Sequence, residues 1–298
     1  MHTFPFGVSM TKSICFHHND PDGHASGAIV KYALGDSVTL IESDYDGTPI
    51  PWDLVEGAKQ IIVTDFSFPV EIMKRLAEGR ELVWIDHHKS AMAEFAGLAD
   101  NWPGIRDISE AACVLTWRYF FPERPVPKAI VLIGDRDVWR WAEEETGPFN
   151  ESLYSQDHQA DNTAFWKPLL ENDQTVLAKM IEEGAWLREI SLRNLDQMMA
   201  TRSFEVRFEG HRTIAVNTRG NGDVGNYGRD RGYEIVYTYI DEMQVGSLTT
   251  VVTLFSNKID VSVIAKRFGG GGHAGASGFS FPRAATPFPP DAKVAWLK

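Results

Sequence analysis

The chain has 298 residues, 43% of them hydrophobic, enough for one large domain or two of medium size. The net charge of −12 is uneven: residues 1–202 hold 18 Lys and Arg against 32 Asp and Glu, and residues 203–298 hold 11 against 9. An acidic body argues against sequence-blind binding of long nucleic acid, since each phosphate contact needs a cation. Two cysteines exclude a disulfide framework, and no apolar run approaches the ~20 residues of a membrane span.

The first segment, "MHTFPFGVSMTKS", lacks a basic start followed by a long apolar stretch, so no secretory leader is expected and a reducing cytoplasm is the expected setting. Then "SICFHH" (13–18) reads as a short apolar strand, with Cys15 a small core residue, and "GHASGAIVKYAL" (23–34) as a helix with Ala25, Ile29 and Ala33 on one face. "VTLIES" (38–43) and "QIIVTDF" (60–66) are further strands; "PVEIMKRLAEG" (69–79) is a helix opened by Pro69 and closed by Gly79; "ELVWIDHH" (81–88) is a fourth strand. These strands are near-continuous apolar runs, the mark of a sheet covered on both faces, and they alternate with helices. A doubly wound, mostly parallel α/β sheet follows.

Two more helices are expected at 109–121, with Ser109 as N-cap, and at 127–134, then a long one over 175–200. "SFEVRFEG" (203–210) alternates Phe204, Val206 and Phe208, the period of a half-exposed strand. With "HRTIAVNT", "EIVYTYID" and "LTTVVTLFS" it announces a smaller C-terminal α+β domain. From Pro282 the Pro-rich sequence reads as an irregular tail. The expected division is 12–174, a connecting helix 175–202, 203–282 and the tail 283–298.

Acids and histidines gather where the strands of the first part run out: "HHNDPDGH" (17–24), Asp65, "DHH" (86–88) and "GDRD" (134–137). A lone Asp at a strand end is ordinarily a turn residue. Six of the nine histidines, however, fall in three short motifs, and the carboxyl ends of parallel strands face one crevice. His18, Asp20, Asp22, Asp65, His87, His88 and Asp135 are thus expected to converge. Their mixture of oxygen and nitrogen donors suits Mn²⁺ or another first-row dication better than Ca²⁺, and the donors suffice for two ions. In "RFGGGGHAGASGF" (267–279) the glycines leave the backbone bare for close approach to a phosphate, and His273 adds a donor.

Taken in order, His-x-Asp-x-Asp-Gly (18–23), Asp65, "DHH", "GDRD" and the terminal "GGGGH" (269–273) resemble the motifs of the DHH phosphoesterases. The last is similar to the DHH-associated domain of nanoRNases, RecJ-like nucleases and cyclic-dinucleotide phosphodiesterases. The resemblance covers about residues 12–282. It implies two domains across a cleft and Mn²⁺-dependent hydrolysis, with Mg²⁺ or Co²⁺ as alternatives. His18, Asp20, Asp22, Asp65, His87 and Asp135 would be metal ligands, Asp65 the bridge. Asp65, His87 and His88 would form the catalytic set, with His88 beside the scissile phosphate and Asp86 orienting the histidine pair. Gly270, Gly271, Gly272 and His273, with Lys258 and Arg267, would hold the far end of the substrate.

Two positions depart from the pattern. His24 stands where many members have a ligating Asp, so Asp20 is taken as the ligand. Phe255, in "LFSNK", stands in place of a usual Arg, leaving Arg219, Lys258 or Arg267 to bind phosphate or Phe255 to stack on a base. Asp137 is set behind Asp135, which directly follows the apolar helix.

The activity so implied is hydrolysis of short oligoribonucleotides or related small nucleotides to 5′-mononucleotides by metal-activated water. The alternatives are cyclic dinucleotides, 3′-phosphoadenosine 5′-phosphate, a phosphoanhydride, or a non-catalytic nucleotide sensor. No membrane association and no module for long nucleic acid are expected; the oligomeric state, homodimer included, stays open.

Overall fold

A computed structural model describes residues 13–45, 49–244 and 246–297. The segment 1–12, expected to hold no leader, lies outside them. The chain divides into two compact units, Met1–Leu187 and Arg188–Lys298. The division falls within one long helix, the region expected to connect two domains.

In the first unit, strands β1 (Ser13–His18), β2 (Val38–Ser43), β3 (Gln60–Thr64) and β4 (Glu81–Ile85) form an all-parallel sheet in the order β2-β1-β3-β4. The helices are α1 (Pro21–Leu34), α2 (Trp52–Gly57), α3 (Val70–Ala77), α4 (Lys89–Glu94), α5 (Ala112–Phe120), α6 (Lys128–Asp137), α7 (Thr146–Tyr154) and α8 (Thr163–Leu170), followed by the long α9 (Gln174–Arg202).

Successive strand residues point to opposite faces, and both faces are apolar. Ile14, Phe16, Ile61, Val63, Leu82 and Trp84 pack with Val55, Met73, Leu76 and Ala91 of α2, α3 and α4. The intervening Cys15, Ile62, Val83 and Ile85 pack with Val30 of α1 and Leu115 of α5. A further apolar layer joins α1, α5, α6, α7 and α8 around Trp117, Ile130, Phe149 and Trp166. This is the mixed α/β architecture read from the sequence.

Some local expectations are corrected. The fourth strand stops at Ile85, because the Asp86 carboxylate accepts hydrogen bonds from the His87 and His88 amides and folds the chain back. The helix expected from Ser109 begins at Ala112; the Ser109 hydroxyl is taken by Asp107 instead. The helix expected at 127–134 runs on to Asp137. The sequence reading placed no helix at α2, α4, α7 or α8: the first two are single short turns, α7 starts in Thr-Gly-Pro, and α8 contains Pro168.

The second unit is a seven-stranded mixed sheet, β11-β5-β6-β7-β8-β10-β9. It is built from β5 (Ser203–Phe208), β6 (His211–Asn217), β7 (Ile235–Gln244), β8 (Ser247–Phe255), β9 (Gly271–Gly272), β10 (Ala276–Pro282) and β11 (Val294–Trp296), with α10 (Gly222–Asp230) and α11 (Val261–Arg267). Three glycines in its nine residues hid α10 from a propensity reading. The tail is not wholly irregular: β11 pairs antiparallel with β5.

Ile62 is fully buried at the centre of the parallel sheet. Ile62→Ala is expected to cost about 2–5 kcal/mol of unfolding free energy in a denaturant titration, and a loss under about 1 kcal/mol would contradict the two-faced core.

Candidate metal centre

Strand order places the first ligands. The connection from β1 goes to one side, to β2, and the chain then returns to the other side as β3, so a topological switch lies between β1 and β3. In the ladders His17 is level with Thr64, and Thr64 with Ile85. The next residues, His18, Asp65 and Asp86, therefore leave the sheet side by side at one edge. Asp65 leaves in the left-handed conformation (φ 57°), which Asp tolerates better than most residues.

The motif glycine has a steric reason. A Cβ at Gly23 would lie 2.3 Å from the His18 carbonyl oxygen, so only glycine lets the first turn of α1 press against the end of β1. Asp20 caps that helix, its Oδ1 accepting from the Gly23 amide at 2.9 Å. Asp22 is buried and both its oxygens accept from the start of α5, at 2.8 Å from the Ala112 amide and 2.7 Å from the Cys113 amide. The helix lacking its expected Ser109 cap is thus capped by a carboxylate from α1, and the small Ala111 and Ala112 permit the approach.

These placements bring three candidate ligand sets around one carboxylate. His18, Asp20 and Asp65 present donor atoms within 4.8 Å of one another, and so do Asp22, Asp65 and His87, and Asp65, Asp86 and His88. Asp65 belongs to all three, and the first two share no other residue. His87 Nε2 lies 3.2 Å from Asp65 Oδ1 and 3.7 Å from Asp22 Oδ2; His18 Nδ1 lies 3.1 Å from Asp20 Oδ2. Asp86 Oδ1 accepts from His88 Nδ1 at 2.8 Å, which sets the ring proton on Nδ1.

Asp65 tests whether these residues fit a metal. It is 1% exposed, and neither carboxylate oxygen has a hydrogen-bond partner among the described residues. A buried carboxylate so placed is costly unless a cation or a proton compensates it. Burial, then the charges of Asp22 and Asp20, push its carboxyl well above the ordinary range. At Asp137, whose side chain is 26% exposed, partial burial and then the charge of Asp22 raise the carboxyl to about 8. At His87 and His18 burial opposes protonation but the surrounding carboxylates outweigh it, raising His87 and taking His18 up to about 11. At Asp20 burial is outweighed by the hydrogen bond and charge of His18, which hold its carboxyl below the usual range. Crowded carboxylates, a buried one among them that accepts no hydrogen bond from the described residues, and imidazoles close by make a donor set that suits a divalent cation.

Not every expected residue joins. Asp135 turns away: its oxygens accept from the Ala142 amide (2.9 Å), the Glu143 amide (3.2 Å) and the Thr146 hydroxyl (2.5 Å). It secures the turn after α6, where Trp139 and Trp141 both hold positive φ. Asp137, set second in the sequence reading, lies instead with its Oδ2 3.5 Å from His87 Nε2. The helical continuation through "GDRD", which carries the two acids onto different sides, is the signal that would have separated them. Asp44 was missed although it directly follows β2; its Oδ1 is 3.6 Å from His18 Nε2. His24 is engaged elsewhere, 2.9 Å from His158 Nδ1 and 2.9 Å from Glu42 Oε2.

In the second unit, the amides of Gly269, Gly270 and His273 already close their own turn, onto the carbonyls of Lys266, Ala265 and Ala276. Gly271 and Gly272 pair with β10, and a Cβ on Gly270 would meet the Gly278 carbonyl oxygen at 1.9 Å. These glycines are required by tight packing as well as by any ligand. Arg267 is paired with Glu209, Arg219 with Glu242, and Lys258 Nζ reaches the Gly232 carbonyl at 3.4 Å. Phe255 is 6% exposed, a core side chain rather than a surface for a base.

Because the raised groups hold protons that a bound cation must displace, metal affinity should rise with pH. The sign is consistent: Asp65 and Asp137, both raised, contribute stability as protonated groups at low pH and lose it as pH rises, Asp137 through about 8, while Asp20 and His18 stay charged throughout. Scanning calorimetry should show Mn²⁺ raising the unfolding temperature more at pH 8 than at pH 6; at 100-fold excess over Kd the stabilisation is about 2.7 kcal/mol. Asp65→Asn should abolish the shift. Asp137→Asn should weaken it, whereas Asp135→Asn should chiefly lower stability without metal. Equal Mn²⁺ shifts at both pH values, or in Asp65→Asn, would contradict this assignment.

No protein-family model matches the chain. An uncharacterized protein of Acanthamoeba polyphaga mimivirus is 28% identical over 235 residues, covering 75% of this chain and 53% of that protein, so the chain spans about half the length of that relative. Oligoribonuclease NrnB of Bacillus subtilis (strain 168) is 23% identical over 289 residues, covering 89% of this chain and 72% of that protein. Among solved structures, the DHH domain of a member of the s1p family of ribosomal proteins superposes with a TM-score of 0.56 at 17% identity, over 89% of this chain and 82% of that one. With its parallel sheet in the order β2-β1-β3-β4 and the "DHH" of residues 86–88 at the edge of that sheet, the chain shares the fold of that DHH domain.

Proposed function

We propose that the protein is a divalent-cation-dependent phosphodiesterase that hydrolyses short oligoribonucleotides, or closely related small nucleotides, to 5′-mononucleotides. One observation carries the proposal: Asp65, buried and without a hydrogen-bond partner among the described residues, is shared by two ligand sets. His18, Asp20 and Asp65 would hold one ion and Asp22, Asp65, His87 and Asp137 a second. When bound, such ions supply an activated water and neutralise charge developing on the phosphoryl oxygens.

The protein's own groups do the rest. The α5 amides keep Asp22 from rotating away, and the left-handed turn at Asp65 keeps its carboxylate at the sheet edge. His88, its Nδ1 hydrogen held by Asp86, offers Nε2 to a phosphoryl oxygen. In the second unit, the rigid turn Gly270–His273 is the proposed substrate contact, with Lys258 and Arg267 as lesser contributors that must first leave their present partners. The acidic first unit favours substrates of a few nucleotides over long polymers, because a short substrate needs few cations. The relative from Bacillus subtilis, an oligoribonuclease, supports the substrate class.

The test is incubation with Mn²⁺ and a panel of labelled RNA dinucleotide, trinucleotide, 20-mer RNA, a cyclic dinucleotide, 3′-phosphoadenosine 5′-phosphate and pyrophosphate. Dinucleotide and trinucleotide should be cleaved fastest, and Asp65→Ala and His88→Ala should each lower kcat at least about 100-fold. Faster turnover of the cyclic compound, the bisphosphate or pyrophosphate would move the substrate assignment, and tight nucleotide binding without Mn²⁺ uptake or turnover would make the protein a sensor.

A further inference from the structure

Residues 1–187 hold 15 Lys and Arg against 30 Asp and Glu, so a cation there has many carboxylates to choose from. Arg136 nevertheless has no carboxylate within 4.0 Å among the described residues, although it sits between Asp135 and Asp137 in the chain. Its guanidinium is held by uncharged groups: Nη1 donates to the Tyr154 hydroxyl at 2.6 Å, and Cζ lies 4.7 Å from the centre of the same ring.

Tyr154 is itself braced. Its ring meets that of His158 edge-on, with centroids 5.9 Å apart. His158 Nδ1 is 2.9 Å from His24 Nδ1, and His24 Nε2 is 2.9 Å from Glu42 Oε2. Five residues from β2, α1, α6, α7 and the α7–α8 loop thus form one connected row, and His24, which joins no ligand set, is its buried link. The row ends in a cation beside the carboxylate cluster. Arg136 directly precedes Asp137, whose Oδ2 lies 3.5 Å from His87 Nε2. Tyr154 is 48% exposed, so this end is open to solvent.

A guanidinium fixed in place, unpaired with carboxylate and next to a cation-binding centre is suited to a phosphate outside that centre. The geometry points to Arg136 and Tyr154 as a subsite for a phosphate monoester: the terminal phosphate of a short oligonucleotide, one linkage away from the phosphodiester being cut. This inference rests on the proposed function and names a preference within it. The row through His158, His24 and Glu42 positions the pair and does not touch substrate.

The experiment compares the RNA dinucleotide ApA with its 5′-phosphorylated and 3′-phosphorylated forms, measuring KM and kcat with Mn²⁺. The wild type should favour one phosphorylated form over ApA by KM, and the favoured end identifies the occupant. Arg136→Gln should shrink that KM ratio at least about fivefold, Arg136→Lys should restore part of it, and Tyr154→Phe should shrink it less than Arg136→Gln. Inorganic phosphate should compete in the wild type and lose potency in Arg136→Gln; competition without any terminal-phosphate preference would assign the subsite to free phosphate and overturn the oligonucleotide reading. A KM ratio unchanged by Arg136→Gln, with Mn²⁺-induced stabilisation intact, would overturn the subsite. If the wild type cleaves none of the three, the proposed function fails, and the same compounds become uncleaved ligands for titration calorimetry. There, loss of the phosphorylated ligand's advantage in Arg136→Gln supports the subsite and its retention rejects it.

Discussion

A carboxylate that is 1% exposed and accepts no hydrogen bond from the described residues is an expensive thing to fold around, and the first unit is organised by that cost at Asp65. Without a cation the cluster must hold protons; in the proposed metal centre the same carboxylates would be ligands. Everything near Asp65 serves to keep it where it is. The ladders set it between His18 and Asp86, the left-handed turn directs it out of the sheet edge, and its neighbours are tied by bonds that do not involve it.

Those neighbouring acids divide the work. Asp22, Asp86 and Asp135 spend oxygens on backbone amides, at the start of α5, on the two histidines and in the turn after α6 respectively. They fix geometry, and Asp22 does so while still facing His87. Asp65, buried, and Asp137, partly open to solvent, are the ones whose carboxyls are pushed up where acids crowd. In the proposed metal centre, some acids would orient the site and others would meet the cation, an arrangement set before any metal binds. Arg136 extends the same division: it is braced by a phenol rather than by a carboxylate, and its charge remains available to an anion.

Much of this was legible in the residues. Apolar runs of the right length mark all four parallel strands, and the rule that the carboxyl ends of such strands face one crevice is what predicts the convergence of His18, Asp20, Asp22, Asp65 and His87 that the structure shows. The failures have physical causes. Asp135 and Asp137 are two residues apart on a helix, and only knowing that the helix continues through both tells which side each faces. Ser109 looked like a cap because capping is ordinarily local; here the cap came from Asp22, some 90 residues away in the chain. The short helices were hidden by Gly and Pro, whose propensity cost is outweighed by burial of Phe149, Trp166 and Val224. The glycine-rich turn was read as bare backbone for a ligand, whereas several of its amides are already bonded within it.

The most direct measurement is anomalous diffraction at the manganese edge from crystals grown with Mn²⁺, for the wild type and for Asp65→Asn. The wild type should show anomalous density within about 2.0–2.3 Å of oxygen of Asp65 and of a nitrogen of His87 or His18, and the Asp65→Asn crystals should lose at least one of the peaks. Manganese bound elsewhere, or an Asp65 carboxylate left without density beside it, would contradict the assignment of this edge of the sheet as a metal centre.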